Sequence, residues 1–265
     1  MIILPKCIQA ITGTNTYELD SIGMSGSSIL KFSNSVLKIE KESMESNHEY
    51  EIMKYLKNKL PVPDILCHTK ENGNNYLLMS KADGQMLCDN FYLENPDKLT
   101  NILADALHML WNLDISDINN YSYNMGINKK LEMAAYNMEH NLVDIDNTEP
   151  ETFGENGFSN PEALLDWLIQ NKPKEDLVFS HGDFCLPNIF ANNGEISCFI
   201  DLGKAGIADR YQDIALCYRS LCHNFDGAYG GKIYPPFQPN ILFQKLGITP
   251  DWDKVHYYIL LDELF

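Results

Sequence analysis

The pattern of apolar and polar residues separates the chain into a short β-rich first part and a longer, mainly helical second part. In the first part, short apolar runs at residues 27–32, 35–39 and 75–80 predict strands. Apolar residues at helical spacing predict one helix over residues 43–58, which ends before Pro61 and Pro63. These elements predict a small lobe built around a sheet.

In the second part, apolar residues recur every three or four positions. This spacing predicts helices over residues 97–113, 160–171, 209–221 and 253–265. Near its middle, this second part also contains a small β insert, for which strands are predicted at residues 178–180, 188–191 and 197–200. Asn193-Gly194 provides the hairpin turn between the last two of these strands.

Together these elements predict an α+β protein with a two-lobed fold. The N-terminal lobe, residues 1–81, is small and β-rich, and the C-terminal lobe, residues 82–265, is larger and mostly helical. A short connector near residues 79–84 joins them. Clefts between lobes are common ligand sites, so we expect ligand-binding residues from both parts.

Composition and charge mainly exclude classes of ligand. The chain has 37 Asp and Glu against 20 Lys and Arg, a formal net charge of −17, which disfavours nucleic acid and anionic membranes. No run of about 18 apolar residues exists, and Pro5 interrupts the apolar start, so neither a membrane span nor a signal peptide is expected. We therefore expect a cytoplasmic protein.

The seven scattered cysteines indicate neither a disulfide framework nor a zinc site.

The strongest chemical motif begins at His181-Gly182-Asp183 and continues to Asn188 and Asp201. A strand leads into the loop that carries Asp183, and the hairpin returns the chain so that Asp201 emerges beside Asn188. Amide and carboxylate oxygens suit Mg²⁺, and a further carboxylate can orient an attacking hydroxyl. Phosphoryl transfer needs this set of groups.

A second motif pairs a strand lysine with a helix glutamate. Lys38 lies within an apolar strand, and Glu49 shares the apolar face of the predicted helix at 43–58. A carboxylate on an inward face needs a partner, because burying an unpaired charge is costly. Lys38 is the natural partner, and in kinases such a pair holds the nucleotide phosphates. The Gly- and Ser-rich residues around Ser25, just before this strand, are a candidate phosphate-binding turn.

Asp209 and Asp213 begin the predicted helix at 209–221. Asp209 has the properties of an N-cap residue. We interpret Asp213 as an acid that accepts hydrogen bonds from the backbone of the Asp183 loop; a solvated helix start is the alternative.

Carboxylates also crowd two regions that suit a cationic ligand. Asp262, Glu263 and the terminal carboxylate of Phe265 lie at the C-terminal end of a helix, where the helix dipole disfavours negative charge. Glu149 and Glu151 belong to an acidic stretch at residues 144–155. A bound cation would relieve the first group, and the second would hold amines as a lid; solvated segments are the alternative in both places.

Several of these stretches resemble the aminoglycoside 3′-phosphotransferase family, and the resemblance extends over essentially the whole chain. The similar stretches are residues 59–63, 77–80, 82–84, 178–183, 199–203, 208–215 and 257–265. The last is specific to that family, because protein kinases and choline kinases end differently.

The resemblance implies a protein-kinase-like fold and transfer of phosphate from ATP or GTP, with Mg²⁺, to the 3′-hydroxyl of an aminoglycoside of the kanamycin or neomycin class. Such a reaction gives antibiotic resistance. The implied roles are catalysis for Asp183, Mg²⁺ binding for Asn188 and Asp201, phosphate binding for Lys38, Glu49 and Ser25, nucleotide-base contact for Met79, Ser80 and Ala82, and acceptor binding for Arg219, Glu263 and the Phe265 carboxylate.

The chain departs from the family pattern in three places. Val36 stands near the position of a tyrosine that stacks on adenine in some members. His223-Asn224 replaces an expected acidic pair, with Asp226 nearby, and residues 227–240 form a longer, more loop-like segment. These departures bear on which nucleotide and which acceptor are used.

Three other functions are compatible with parts of this pattern. A kinase of another alcohol, such as a macrolide, choline or a metabolite, would keep the same catalytic residues. A nucleotide-binding pseudokinase is disfavoured because Lys38, Glu49, Asp183, Asn188 and Asp201 are all present. A protein kinase is disfavoured because there is no room for a long activation segment between Gly203 and Asp209.

Overall fold

The computed structural model describes residues 3–13, 16–19, 27–116, 123–155, 157–229, 231–235 and 237–265. Its helices are α1 (Lys6–Thr12), α2 (Met44–Leu56), α3 (Asn90–Leu93), α4 (Pro96–Trp111), α5 (Ile127–Glu139), α6 (Pro161–Gln170), α7 (Arg210–Asp226), α8 (Ile241–Leu246) and α9 (Trp252–Asp262). Its strands are β1 (Glu18–Leu19), β2 (Ser28–Lys31), β3 (Ser35–Lys41), β4 (Ile65–Glu71), β5 (Asn74–Ser80), β6 (Gln85–Met86), β7 (Leu177–Ser180), β8 (Ile189–Asn192), β9 (Glu195–Phe199) and β10 (Gly206–Asp209).

The chain forms two compact units. Unit 1 comprises Met1–Met86 and Asn188–Lys204, and unit 2 comprises Leu87–Pro187 and Ala205–Phe265. Residues 188–204, which were predicted to lie in the C-terminal lobe, cluster with unit 1, where β8 pairs with β6. The functional division at residues 81 and 82 stays a prediction.

Unit 1 is built on an antiparallel sheet with the strand order β1-β2-β3-β5-β4. Apolar side chains of β2, β3 and β5, including Leu30, Leu37 and Leu78, are fully buried and form its core with Ile8 of α1. β3 and β5 are paired along their whole length, from Ser35 opposite Ser80 to Lys41 opposite Asn74. The central position of β3 therefore holds Lys38 on rigid backbone.

Helix α2 begins with a capping box. The Ser43 side chain accepts a hydrogen bond from the Ser46 N–H, and the Ser46 hydroxyl accepts one from the Ser43 N–H. These bonds satisfy backbone donors that a helix start leaves unpaired. The buried face carries Glu49 together with Ile52, Met53 and Leu56, as the periodicity predicts.

A second, three-stranded sheet of unit 1 has the order β6-β8-β9. Its hairpin turns at Asn193 and Gly194, whose φ angles are 52° and 92°. Positive φ at both central residues is typical of the tight hairpin turn that an Asn-Gly pair favours. The hairpin predicted from the sequence is confirmed.

Unit 2 is mainly helical. Helix α7 packs against α9, and α4 packs against α7, α8 and β7. The apolar stripe of α4 is buried at Leu99, Leu103, Leu107 and Leu110. The C-terminal helix docks in this unit, since Tyr257, Tyr258 and Leu261 are almost fully buried.

Several sequence predictions need correction. The strand at 178–180 does not belong to the β8–β9 insert; as β7 it pairs with β10, a strand that the sequence analysis did not predict. The edge strand β4 was missed because its sequence is largely polar and half-buried. Helix α5 was missed because its face contains a buried lysine, Lys130, and α1 and α8 were missed because each is two turns or less.

Within the described residues, no helix combines the length and apolar character that crossing a membrane requires. The described part of the segment 227–240 contains turns but no helix or strand.

Candidate active site

A chain of charged side chains in unit 1 centres on Lys38. Its Nζ lies 2.8 Å from Glu49 Oε2 and 2.8 Å from Asp201 Oδ1. Strand β3 places the lysine and α2 places the glutamate, so sequence-distant carboxylates share one ammonium. The Lys38–Glu49 ion pair predicted from the sequence is confirmed.

Burial and the neighbouring charges act in opposite directions on Lys38. Burial works to lower the pKa of its ammonium, but the carboxylates of Glu49 and Asp201 outweigh burial and raise that pKa. Burial raises the pKa of Glu49, and Lys38 opposes this. Because two carboxylates lie within hydrogen-bond distance of Nζ, we assign a charged lysine.

Glu49 also anchors the segment that follows Asp201. Its Oε1 accepts a hydrogen bond from the Leu202 N–H at 3.3 Å. Asp201 itself has a φ of 59°, in the left-handed region that non-glycine residues seldom adopt. The backbone of Asp201 is therefore left-handed, a conformation that Asp tolerates better than most other non-glycine residues.

Asn188 and Asp201 lie at the two ends of the β8–β9 hairpin. The Asn188 carbonyl accepts a hydrogen bond from the Ile200 N–H at 3.0 Å, which brings the chain next to Asp201 back beside Asn188. Both side chains offer the hard oxygen donors that Mg²⁺ prefers, and the Asp201 side chain is 37% exposed despite its contact with Lys38. These residues fit a magnesium ion.

The predicted nucleotide-base residues lie at the end of β5. Met79 pairs with Val36 of β3, and Ser80 pairs with Ser35. The Ser80 N–H and hydroxyl both bond to the backbone of Asp64, which fixes the strand end. Ala82 follows the strand and is half-buried. Ser25 lies outside the described residues.

In unit 2, Asp213 holds the loop that carries Asp183. Its carboxylate accepts hydrogen bonds from the Ser180 hydroxyl at 2.9 Å, the His181 N–H at 2.8 Å and the Gly182 N–H at 3.0 Å. Burial raises the pKa of Asp213, while these donors oppose the rise. The predicted bonding of Asp213 to the backbone of the Asp183 loop is confirmed.

Two further residues of this loop region were not identified from the sequence. The Cys185 thiol donates to Asp183 Oδ1 at 3.2 Å, and the Ser220 hydroxyl accepts from the Leu186 N–H at 3.0 Å. Ser220 lies seven residues after Asp213 on α7, and this two-turn spacing places both on one helix face. This spacing is the sequence feature from which Ser220 could have been identified.

A second charged cluster in unit 2 centres on Arg219. Its guanidinium donates a hydrogen bond to the Asp262 carboxylate and lies 3.1 Å from Glu263 Oε1. Glu263 Oε2 in turn accepts a hydrogen bond from the Glu149 N–H at 2.9 Å. The structure thus brings together four of the predicted acceptor residues. The sequence predicted that a bound cation would relieve this crowded helix end, whereas Arg219 of the chain itself already pairs with two of the carboxylates there.

The pKa values in this cluster reflect competition between burial and charge. Burial raises the pKa of Glu263 to about 7, although Arg219 and the Glu149 N–H oppose it. The pKa of Glu149 is lowered, mainly by its hydrogen bond with His223. At neutral pH Glu149 is therefore ionised, while Glu263 can carry a proton.

The remaining predicted acceptor residues are Glu151, Asp226 and Phe265. Glu151 is exposed, two residues beyond Glu149, and Asp226 is exposed and caps the turn after α7 through the Ala228 N–H. The ring of Phe265 lies 5.1 Å from the buried Lys130 Nζ of α5. Within the described residues, neither Glu151 nor Asp226 forms an ion pair with Arg219, whose partners are Glu149, Asp262 and Glu263.

The fold matches solved aminoglycoside phosphotransferases. One described as an aminoglycoside-3′-phosphotransferase of type VIII superposes with a TM-score of 0.80, at 24% identity and 98% coverage of both chains. Another, from Streptomyces rimosus and solved with ADP and streptomycin, gives a TM-score of 0.77 at 21% identity, covering 97% of this chain and 96% of the other. The predicted α+β, kinase-like fold class is confirmed.

Sequence comparison identifies the family to which the chain belongs. Residues 15–255 match the model of the phosphotransferase enzyme family. A Staphylococcus aureus aminoglycoside 3′-phosphotransferase is 36% identical over 98% of this chain and 94% of its own length. One from Enterococcus faecalis is 40% identical over 82% of this chain and 78% of its own. The chain belongs to the phosphotransferase enzyme family and is a kinase, as its sequence predicted.

Proposed function

We propose that this protein transfers the γ-phosphate of ATP or GTP to the 3′-hydroxyl of an aminoglycoside of the kanamycin or neomycin class, and thereby gives antibiotic resistance. The observation that carries this proposal is the near full-length similarity to aminoglycoside 3′-phosphotransferases in a chain that keeps every catalytic-type residue. We place the reaction in the cytoplasm, where nucleotide triphosphates are available.

On the nucleotide side, Lys38 binds the phosphates and Glu49 holds its ammonium in place. Ser25 caps the phosphates from the preceding turn, and Met79, Ser80 and Ala82 contact the base through the end of β5. The charged state of Lys38 supports this role, because a permanent cation attracts phosphate oxygens. Asn188 and Asp201 would hold Mg²⁺, which neutralises phosphate charge when bound.

On the acceptor side, Asp183 orients the 3′-hydroxyl and receives its proton as the oxygen attacks the γ-phosphorus and the nucleoside diphosphate leaves. Asp213 supports that role by fixing the backbone of residues 181 and 182. Holding the reactants in line lowers the barrier without covalent chemistry from the protein.

The carboxylates of unit 2 bind the ammonium groups of the acceptor. Glu149, Asp262, Glu263 and the Phe265 carboxylate form the main group, and Glu151 and Asp226 extend it. Arg219 positions Asp262 and Glu263 through its two contacts. Partly buried carboxylates bind cations more strongly than exposed ones, because solvent screens them less.

The experiment that tests this function compares kanamycin with tobramycin, which lacks the 3′-hydroxyl. We expect ADP release from Mg-ATP with kanamycin and none with tobramycin. Turnover with both would exclude the 3′ position as the acceptor. Turnover with neither, but with a macrolide or choline, would assign the same fold to another alcohol.

A further inference from the structure

His223 contacts a carboxylate of the acceptor cluster. Its Nε2 lies 3.2 Å from Glu149 Oε1, and the side chains of His223 and Glu149 are 21% and 27% exposed. The sequence has His223 where an acidic residue was expected, so a titratable cation stands in place of a permanent anion. The pair is partly shielded from water, which strengthens the interaction.

Arg219 is the other cation near Glu149, but its charge is already shared. Its Nε lies 3.9 Å from Glu149 Oε1, while its terminal nitrogens contact Asp262 and Glu263. His223, by contrast, forms its ion pair with Glu149 alone among the described residues. A ligand ammonium that approaches Glu149 therefore competes mainly with His223. Removing one proton from His223 leaves the Glu149 charge available.

The titratable and charged groups around His223 come from three segments. Those of α7 and the turn after it are Arg219, Cys222, Asp226 and Tyr229, and the others are Glu149 with its neighbours Asp262 and Glu263. The hydrogen bond and charge of Glu149 and the charge of Asp226 raise the pKa of His223, while burial and Arg219 oppose them. The protonated imidazole thus persists further toward neutral pH than in a free histidine.

We propose that His223 is a specificity-determining residue: its imidazolium occupies Glu149, and an ammonium of the acceptor must compete with it for that carboxylate. The proposal rests on the proposed function, because it assigns Glu149 to the acceptor. Acceptor binding at Glu149 then favours release of the His223 proton, since two cations on one carboxylate repel each other.

The proposal predicts that the acceptor KM falls as pH rises. Below the pKa of His223 the imidazolium competes fully, and the acceptor KM is high. As pH rises through that pKa the competitor is lost and KM falls. The amines of the acceptor also lose protons over this range, so the effect is isolated by the ratio of wild-type KM to variant KM with one acceptor.

The test measures the kanamycin KM from pH 6 to pH 9 for wild type, His223→Gln and His223→Lys. Gln keeps a hydrogen-bond donor without charge, and Lys keeps the charge at every pH used. We expect the wild-type KM to exceed that of His223→Gln by about fivefold at pH 6 and to match it at pH 9, as for a partly exposed ion pair. The His223→Lys KM should stay high throughout, and these effects should fall on KM rather than kcat.

His140→Gln is the matched control, because His140 is exposed and stacks only on Tyr136 of its own helix. It should reproduce the wild-type profile. A wild-type to His223→Gln ratio that does not change with pH would overturn the proposal, as would a His223→Lys KM equal to that of His223→Gln at pH 8.5.

Calorimetric binding of kanamycin distinguishes this proposal from the proposed function. Heats measured at pH 7 in two buffers of different ionisation enthalpy give the number of protons released, without any need for turnover. We expect more release from wild type than from His223→Gln. If wild type releases more protons than His223→Gln but kanamycin is not phosphorylated, the proposed function is overturned and the competitor role is supported. If kanamycin is phosphorylated but both proteins release the same number of protons, the competitor role alone is overturned.

Discussion

Lys38 and Arg219, both largely shielded from water, each lie within hydrogen-bond distance of two carboxylates. Lys38 binds Glu49 and Asp201, and Arg219 binds Asp262 and Glu263. Such pairing is expected because removing a charge from water is costly unless a partner compensates it. In the proposed function, Asp201 would also bind Mg²⁺ and Asp262 would also bind the acceptor.

Replacing Lys38 by methionine tests the phosphate-binding role. Lys38→Met should lower kcat/KM for ATP by about 10- to 100-fold, the effect of losing a charge-assisted hydrogen bond to phosphate. Steady-state kinetics with ATP varied measures it. Lys54→Met is the control, since Lys54 is half-exposed and pairs with Glu51 on α2; an equal effect in both variants would contradict the prediction.

Replacing Asp183 by alanine tests the acceptor-orienting role. Asp183→Ala should lower kcat by about 10²–10⁴, the usual contribution of a positioned acid or base. ADP affinity measured by calorimetry should not change. Asp166→Ala, an exposed aspartate of α6, is the control. Wild-type turnover in Asp183→Ala would remove Asp183 from its role.

At the scale of elements, helix α7 serves as the support of the Asp183 loop. Asp213 in its first turn holds residues 180–182, and Ser220 two turns later holds Leu186. The loop is thus attached at both ends to one rigid helix. A loop positioned by a helix keeps its catalytic side chain in place better than a loop that is anchored once.

Asp213→Asn should weaken this support. The amide retains one acceptor oxygen, but its NH₂ group faces an N–H donor, which should lower the free energy of unfolding by about 1–3 kcal/mol. We also expect a lower kcat, because the Asp183 backbone is less well held. Urea unfolding and turnover measure the two effects. Asp253→Asn, an exposed first-turn aspartate of α9, should change neither.

Gly84 shows how a turn limits side-chain size. Its φ is 86°, and an added Cβ would lie 2.3 Å from the Ala191 carbonyl oxygen of β8. Gly84→Ala should therefore add a steric cost of about 1–3 kcal/mol to the backbone cost of positive φ. Gly247 has a similar φ of 67°, but an added Cβ there would have no atom within 4 Å. Gly247→Ala should therefore show the backbone cost of positive φ alone. Equal thermal stability of the two variants would show that the bend before β6 can move away from β8.

At the scale of the whole molecule, the formal net charge of −17 gives the protein a long-range negative field. Such a field concentrates cations near the protein and weakens as salt screens it. The Debye length falls from about 30 Å at 0.01 M to about 8 Å at 0.15 M ionic strength. Acceptor capture should therefore depend on ionic strength.

We expect the kanamycin KM to rise about threefold or more between 0.01 M and 0.15 M ionic strength, because screening removes the long-range attraction. Initial rates with NaCl varied at fixed Mg-ATP measure the change. Sucrose at matched osmolality should leave KM unchanged. A KM that does not respond to NaCl would show that only short-range contacts hold the acceptor.

The sequence by itself determined the features that depend on local pattern. The α2 periodicity placed Glu49 inward toward Lys38, Asn193-Gly194 required a tight turn, and Asp213 at the start of α7 bonded the loop as predicted. Helix period, turn chemistry and the cost of a buried charge act over a few residues or one pair, so they can be inferred without coordinates.

Only the tertiary structure decided which distant segments meet. It paired β7 with β10, grouped residues 188–204 with unit 1, and set His223 against Glu149. Strand partners and cross-helix contacts depend on how whole faces pack, and a short edge strand or a single polar contact leaves little trace in the local pattern. For this reason the sequence indicated the reaction class, while the competition between His223 and a cationic acceptor could be inferred only from the folded chain.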